Sequence, residues 1–396
     1  MSPMNPLAYL SEQLESWREA GTFQRARELQ SPCEPVCRFD GKEVINLASN
    51  NYLGLANHPK LVEAAINATR KYGAGSGAVR TISGTMTLHV ELEERIAAFK
   101  EVEACVVFQS GFTANSGTVS AILGPGDYII SDELNHASII DGCRLSKAKI
   151  KVFPHRDAGE AGRILSDLDG TPGRKLLISD GVFSMDGDVA PLPGLAKAAR
   201  EHGAIMMVDD AHASGVLGRA GRGTVDHFKL HGEVQIQVGT LSKAIGSLGG
   251  YVCGSRDLID FLHHRGRPFL FSTSHPPGVA AACLAAFDLL ESEPERVEAL
   301  WSNTKYFKRN LAAEGFDTGA SETPITPIMV GEAGAAHAFS NALFEAGLFA
   351  TGIGFPTVPR GKARVRTIVT ATHTRETLDR ALEILSATAR KTGILR

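Results

Sequence analysis

Between residues 127 and 253, short apolar runs alternate with helical stretches, and this alternation limits the fold more than any other feature of the chain. DYIIS (127–131), KIKVF (149–153), RKLLIS (174–179), AIMMV (204–208) and VQIQV (234–238) read as buried strands. Helical segments such as 191–202 separate several of them, with Pro191 and Pro193 punctuating the start of that one. Strands alternating with helices predict an α/β fold whose mostly parallel sheet is covered on both faces. Ligands of such sheets sit at the carboxyl ends of strands, where loops begin. After a helix around 276–293 the texture changes to helices at 295–314 and 335–347, a strand at 363–370 and a last helix from about 374. The expected division is an amphipathic arm (1–45), a large domain (46–290) and a smaller α+β domain (291–396).

Composition removes other classes. At 396 residues the chain has room for two to three domains, and 43% hydrophobic with 21% charged residues is ordinary globular composition. The 41 basic and 44 acidic residues nearly cancel, which argues against a nucleic-acid grip. Glu12, Glu15 and Glu19 occupy the start where a secretory leader would be apolar, and the apolar stretch 278–287 is too short to span a bilayer. Six scattered cysteines do not form a disulfide framework, and Cys33 and Cys37 lack a second pair to complete a zinc site. A cytoplasmic protein without metal, membrane or nucleic-acid partners is the expectation.

Four windows carry chemistry, each following an apolar run. Lys243 stands among small and apolar residues from Thr240 to Gly246, where desolvation would turn its amine into a nucleophile; an exposed lysine after a strand is the plain alternative. Asp209 ends the run Met206 to Val208, and a carboxylate buried there needs a cation unless it only caps the next helix. Ser110 and Gly111 open a helix after Ala104 to Phe108, which would offer backbone N–H groups to an anion; an ordinary capped helix start is the plain alternative. His136 follows the 127–131 strand, where its imidazole would stack on a planar ring; a satisfied structural histidine is the plain alternative. A loose GxGxxA pattern at 73–78 follows a helical stretch, 59–72, not a strand, so it is not a dinucleotide fingerprint. Lys362, Arg364 and Arg366 share one face of a strand; an exposed edge accounts for two of them, and one is left to pair with a substrate carboxylate. A phosphate anchor, a stacking ring, a pyridinium counter-ion and a Schiff-base amine are what pyridoxal phosphate requires. Gly111, Gly249 and Gly250 are expected to let backbone approach that cofactor.

The segments ASNNYLGLANHP (48–59), SDELNHASIIDGCRLSKA (131–148), DGVFSMDGDVAPL (180–192), VDDAHASGVLG (208–218), GTLSKAIGSLGG (239–250) and RPFLFSTS (267–274) resemble those of the α-oxoamine synthases. The likeness covers residues 10–396. It implies a fold-type I pyridoxal phosphate enzyme, a homodimer with shared active sites, joining an amino acid to an acyl-CoA. It also implies roles. Lys243 bonds the cofactor, Asp209 pairs with its ring nitrogen, and Ser184 and His212 contact its phenolic oxygen. Gly111, Phe112 and Thr240 bind phosphate with Thr273 and Ser274 of the other subunit. His136 stacks on the ring, while Asn50 and Arg366 hold the amino-acid carboxylate. Within the family, NHASIIDG, RPFLFS, 351–367 and ATHT (371–374) are most similar to glycine C-acetyltransferases, which implies glycine and acetyl-CoA and a place in threonine breakdown. The loop 77–85 carries Thr81 where a bulkier aromatic residue can occur, leaving room for a longer acyl chain. The alternative is therefore alanine with pimeloyl-CoA, as in biotin synthesis, or both activities. A plain aminotransferase on the same fold is the more distant one.

Overall fold

A computed structural model describes residues 5–395. The chain divides into two compact units, one of residues 50–184 with 188–300, the other of residues 5–49, 185–187 and 301–395. Residues 301–395 thus share a unit with the segment read as an arm.

The larger unit is built on a seven-stranded sheet. Its order is Ala104–Phe108, Gly250–Gly254, Ile236–Thr240, Ile205–Asp209, Lys175–Asp180, Tyr128–Asp132 and Lys149–Phe153. Gly250–Gly254 runs antiparallel to both neighbours and the remaining pairings are parallel. Alternate residues of each strand enter different cores. Ile129, Leu176, Ile178 and Met207 pack with Val119, Ile139 and Cys143 on one face. Ile130, Leu177, Met206 and Val208 pack with Ile164, Leu165, Leu195 and Ala199 on the other. Period-two side-chain alternation on a sheet sandwiched between helices makes both faces apolar, which is why these strands read as unbroken apolar runs.

The run 149–153 departs from that reading. It forms the predicted strand, but as the sheet's edge, with Lys149, Ile150, Lys151 and Val152 exposed and only Phe153 buried. An edge strand has a partner on one side only, so its side chains need not be covered. The 73–78 segment indeed follows a helix, Pro59–Tyr72.

In the smaller unit, Val36–Phe39 pairs with Lys42–Asn46, which pairs in turn with Leu348–Phe349, so part of the segment read as an arm is sheet. A second sheet places Ala363–Ile368 between Ile325–Gly331 and Thr351–Ile353. The cationic strand is therefore central and not an edge. Arg364 is buried and pairs with Asp186 at 2.5 Å while donating to the Met185 carbonyl at 3.0 Å. Ile45, Phe307, Leu311, Phe339, Val365, Leu382 and Leu385 form this unit's core. All six cysteines are free thiols. Among the described residues, no helix is long and apolar enough to cross a membrane.

Candidate active site

Parallel register decides what lies at the carboxyl end of the sheet. Asp180 and Asp209 end adjacent strands as direct partners, and both are buried. Asp209 accepts from Asn115 Nδ2 at 2.6 Å and from the Ala211 N–H at 2.8 Å. Asp180 accepts the His136 N–H at 2.8 Å. Burial, and then the negative charge of Asp209, holds the Asp180 carboxyl well above the usual carboxylate range.

The next strand, Ile236–Thr240, delivers Thr240 and, past its end, Ser242 and Lys243. Thr240 Oγ1 lies 2.8 Å from Ser242 Oγ and donates to the Gly249 carbonyl at 2.9 Å. Ser110 caps the helix Gly111–Ile122, its hydroxyl accepting the Thr113 N–H at 3.1 Å. The N–H groups of Gly111 and Phe112 precede the first intrahelical bond, Ala114 N–H to the Ser110 carbonyl at 3.0 Å. They are the groups a helix start presents to an anion.

A pocket of about 170 Å³ joins these ends, lined by residues including Ser110, Phe112, His136, Ser184, Asp209 and Lys243. Of the residues proposed from sequence, Gly111, Phe112, His136, Ser184, Asp209, His212, Thr240 and Lys243 all line it. Asn50, Thr273 and Ser274 belong to the same unit but do not line it, and Arg366 lies in the other unit. Thr273 gives its carbonyl to Gln109 Nε2 at 2.8 Å, and Ser274 Oγ lies 2.6 Å from Ser76 Oγ.

His136 caps the helix Ala137–Ser146. Loss of solvent lowers its basicity, the charge of Lys243 acts in the same direction, and Asp209 opposes both. His212 Nδ1 is 2.7 Å from the hydroxyl of buried Tyr52.

Sequence reasoning missed Asn115, Ser138, Asp180 and Tyr52. Only register could have pointed to Asp180, since its partner Asp209 ends the neighbouring strand. Two of the glycines named from sequence are held small by packing. A Cβ on Gly250 would stand 2.4 Å from Ser110 backbone atoms, and one on Gly249, at φ +130°, would stand 2.8 Å from His275 Nε2. Both are small for the sake of packing beneath the helix start and its surroundings. A Cβ on Gly111 would meet Thr240 Cβ at an ordinary 3.5 Å.

The family model for aminotransferase class I and II matches residues 42–385. An 8-amino-7-oxononanoate synthase of Symbiobacterium thermophilum is 61% identical over 98% of this chain and 99% of its own. One of Thermoanaerobacter pseudethanolicus is 56% identical over the whole of both chains. A serine palmitoyltransferase from S. paucimobilis with a bound PLP–myriocin aldimine superposes at a TM-score of 0.94, with 31% identity over 99% of this chain and 100% of that one. The chain belongs to the α-oxoamine synthases, within the class I and II aminotransferase family. It has their fold-type I architecture.

These relatives overturn the glycine C-acetyltransferase reading, and with it acetyl-CoA and threonine breakdown. Of the motifs behind that reading, only NHASIIDG reaches the pocket beside Lys243, through His136 and Ser138. Pyridoxal 5′-phosphate, the family's cofactor, fits the residues present. The buried Asp209 carboxylate, register-paired with Asp180, calls for a cation, which a protonated ring nitrogen supplies. The capped helix start beside Thr240 suits its phosphate.

Proposed function

We propose that this α-oxoamine synthase condenses alanine with pimeloyl-CoA to give 8-amino-7-oxononanoate, CoA and carbon dioxide. The full-length identity to synthases of that name carries the reading. Carbon counting supports the stoichiometry: seven acyl carbons and three from alanine, less one lost as carbon dioxide, make the nine of the product. Thr81, exposed and small, agrees with an acyl chain longer than acetyl.

Pyridoxal phosphate supplies an electron sink for the negative charge that develops at the alanine Cα. The chain's residues do the rest. Lys243 Nζ would hold the cofactor and, when free, would take the Cα proton. Asp209 keeps the ring nitrogen protonated by its negative charge. The N–H groups of Gly111 and Phe112, with Thr240 and the partner subunit's Thr273 and Ser274, hold the phosphate. His136 covers the ring, Ser184 and His212 bind its phenolic oxygen, and Asn50 and Arg366 orient the amino-acid carboxylate. This division of labour makes the working enzyme a homodimer.

The test is CoA release with alanine plus pimeloyl-CoA against glycine plus acetyl-CoA. The first pair should turn over and the second should be poor. Turnover of glycine and acetyl-CoA alone would overturn the reading. Keto acid formed from alanine without CoA release would instead mark an aminotransferase.

A further inference from the structure

Asn115 and Ser138 are buried polar residues that no role so far described uses. Asn115 Nδ2 carries two protons and has two acceptors, Asp209 Oδ2 at 2.6 Å and Ser138 Oγ at 3.0 Å. The amide cannot be reversed, since its oxygen would then face a carboxylate oxygen at that short distance. Ser138 Oγ therefore accepts from Asn115, and its own proton is directed to the remaining neighbour, His136 Nδ1, at 2.7 Å. The Ser138 N–H also points to His136 Nδ1, at 3.2 Å. A nitrogen that receives two donors presents its lone pair, so the imidazole proton must be on Nε2.

We propose that Asn115 and Ser138 are positioning residues of this pocket: one run of hydrogen bonds steadies the Asp209 carboxylate and commits His136 to the neutral form with its proton on Nε2. The run joins the pocket wall at Asp209 to the wall at His136, on adjacent helix starts and a strand end. Its consequence is directional. Nδ1 is occupied by Ser138, so Nε2–H is what His136 offers a substrate oxygen. Protonating the ring would put a proton on Nδ1 and break both contacts from Ser138, so the run resists imidazolium formation. Three charged groups bear on that ring. Asp209 favours protonation, Lys243 opposes it, and Asp180 accepts the backbone N–H of His136. The inference rests on the proposed function only in taking the pocket as catalytic.

The test is NMR of the full-length holoenzyme carrying ¹⁵N,¹³C-labelled histidine, with His136→Gln to assign the signal. The wild-type ring should show the Nε2–H tautomer. Ser138→Ala should make the tautomers mix and raise the pH at which His136 titrates by about half a unit to one unit, the worth of one neutral hydrogen bond. Asn115→Ala should act in the same direction, because the serine proton is then uncommitted. The acid limb of CoA release should move upward with the NMR titration, whereas a merely structural loss would lower the rate at every pH. An Nδ1–H tautomer in the wild type, or an unchanged His136 titration in Ser138→Ala, would overturn the proposal. The NMR reading needs no substrate, so it stands or falls apart from the acyl-CoA assignment.

Discussion

The cavity lined by Arg80, Glu93, Arg256 and His263 measures about 570 Å³, against about 170 Å³ for the pocket beside Lys243. The two differ more in charge than in size. In the large cavity Arg80 grips Glu93 through both guanidinium nitrogens, at 2.8 and 2.9 Å, and the pair is buried. In the small pocket the carboxylates of Asp180 and Asp209 stand side by side, bonded to amides. Buried charge neutralised on the spot holds a fold together; a buried aspartate held by neutral donors, with Lys243 lining the same pocket, leaves something for a ligand to do. The contrast reaches down to consecutive residues. Asp209 meets Asn115, while Asp210 meets Lys100 Nζ at 2.9 Å in an ion pair almost wholly removed from water.

Breaking the neutralised side should cost most. Asp210→Asn strands the Lys100 ammonium in the interior, and urea denaturation should show a loss of about 3–5 kcal/mol. A denaturation midpoint unchanged by this substitution would erase the distinction between the two aspartates.

A second neutralised cluster tests the same side through pH. His155 lies between buried Asp132, at 3.1 Å, and Asp188, at 2.8 Å. Burial alone would lower its basicity, but the two carboxylates override this and hold its pKa up at about 9. A pKa raised in the folded state gives stability that is full below about 6.5 and is lost as pH rises through about 9. Over that window the protein should lose on the order of 3 kcal/mol, and His155→Ala should flatten the slope. Denaturation midpoints at stepped pH would read both.

The pocket side should show the smallest change in stability. Asp209→Asn removes the negative charge beside Asp180 but sets an amide donor against Asn115 or the Ala211 N–H, so the cofactor-free protein should change in stability by about 1 kcal/mol at most while CoA release collapses. Equal destabilisation by Asp209→Asn and Asp210→Asn would make both aspartates structural.

Much of the larger unit was legible because a covered parallel sheet writes itself as apolar runs: Lys149–Phe153 and Ala104–Phe108 match the read segments residue for residue. Lys149–Phe153 shows the limit, since Ile150 and Val152 are apolar yet exposed, and edge position is a property of strand order that no local window contains. Lys243 and Asp209 were legible from their place after strands. Asp180, Asn115 and Ser138 were not, because each acquires its meaning from a partner in another strand or helix. Arg364 misled for the same reason, its partner Asp186 lying 178 positions away. The acyl preference failed differently, since of the motifs behind it only NHASIIDG reaches the pocket beside Lys243.

That edge strand has a further consequence. A row of unpaired backbone groups on a flat, apolar rim invites a stray chain to add itself as the next strand. Lys149 and Lys151 stand exposed on that rim, so any second copy approaching it would have to bring its own lysines against them. The same alternation that weakened the run as a sign of burial gives this edge of the seven-stranded sheet the kind of charge that discourages a further strand.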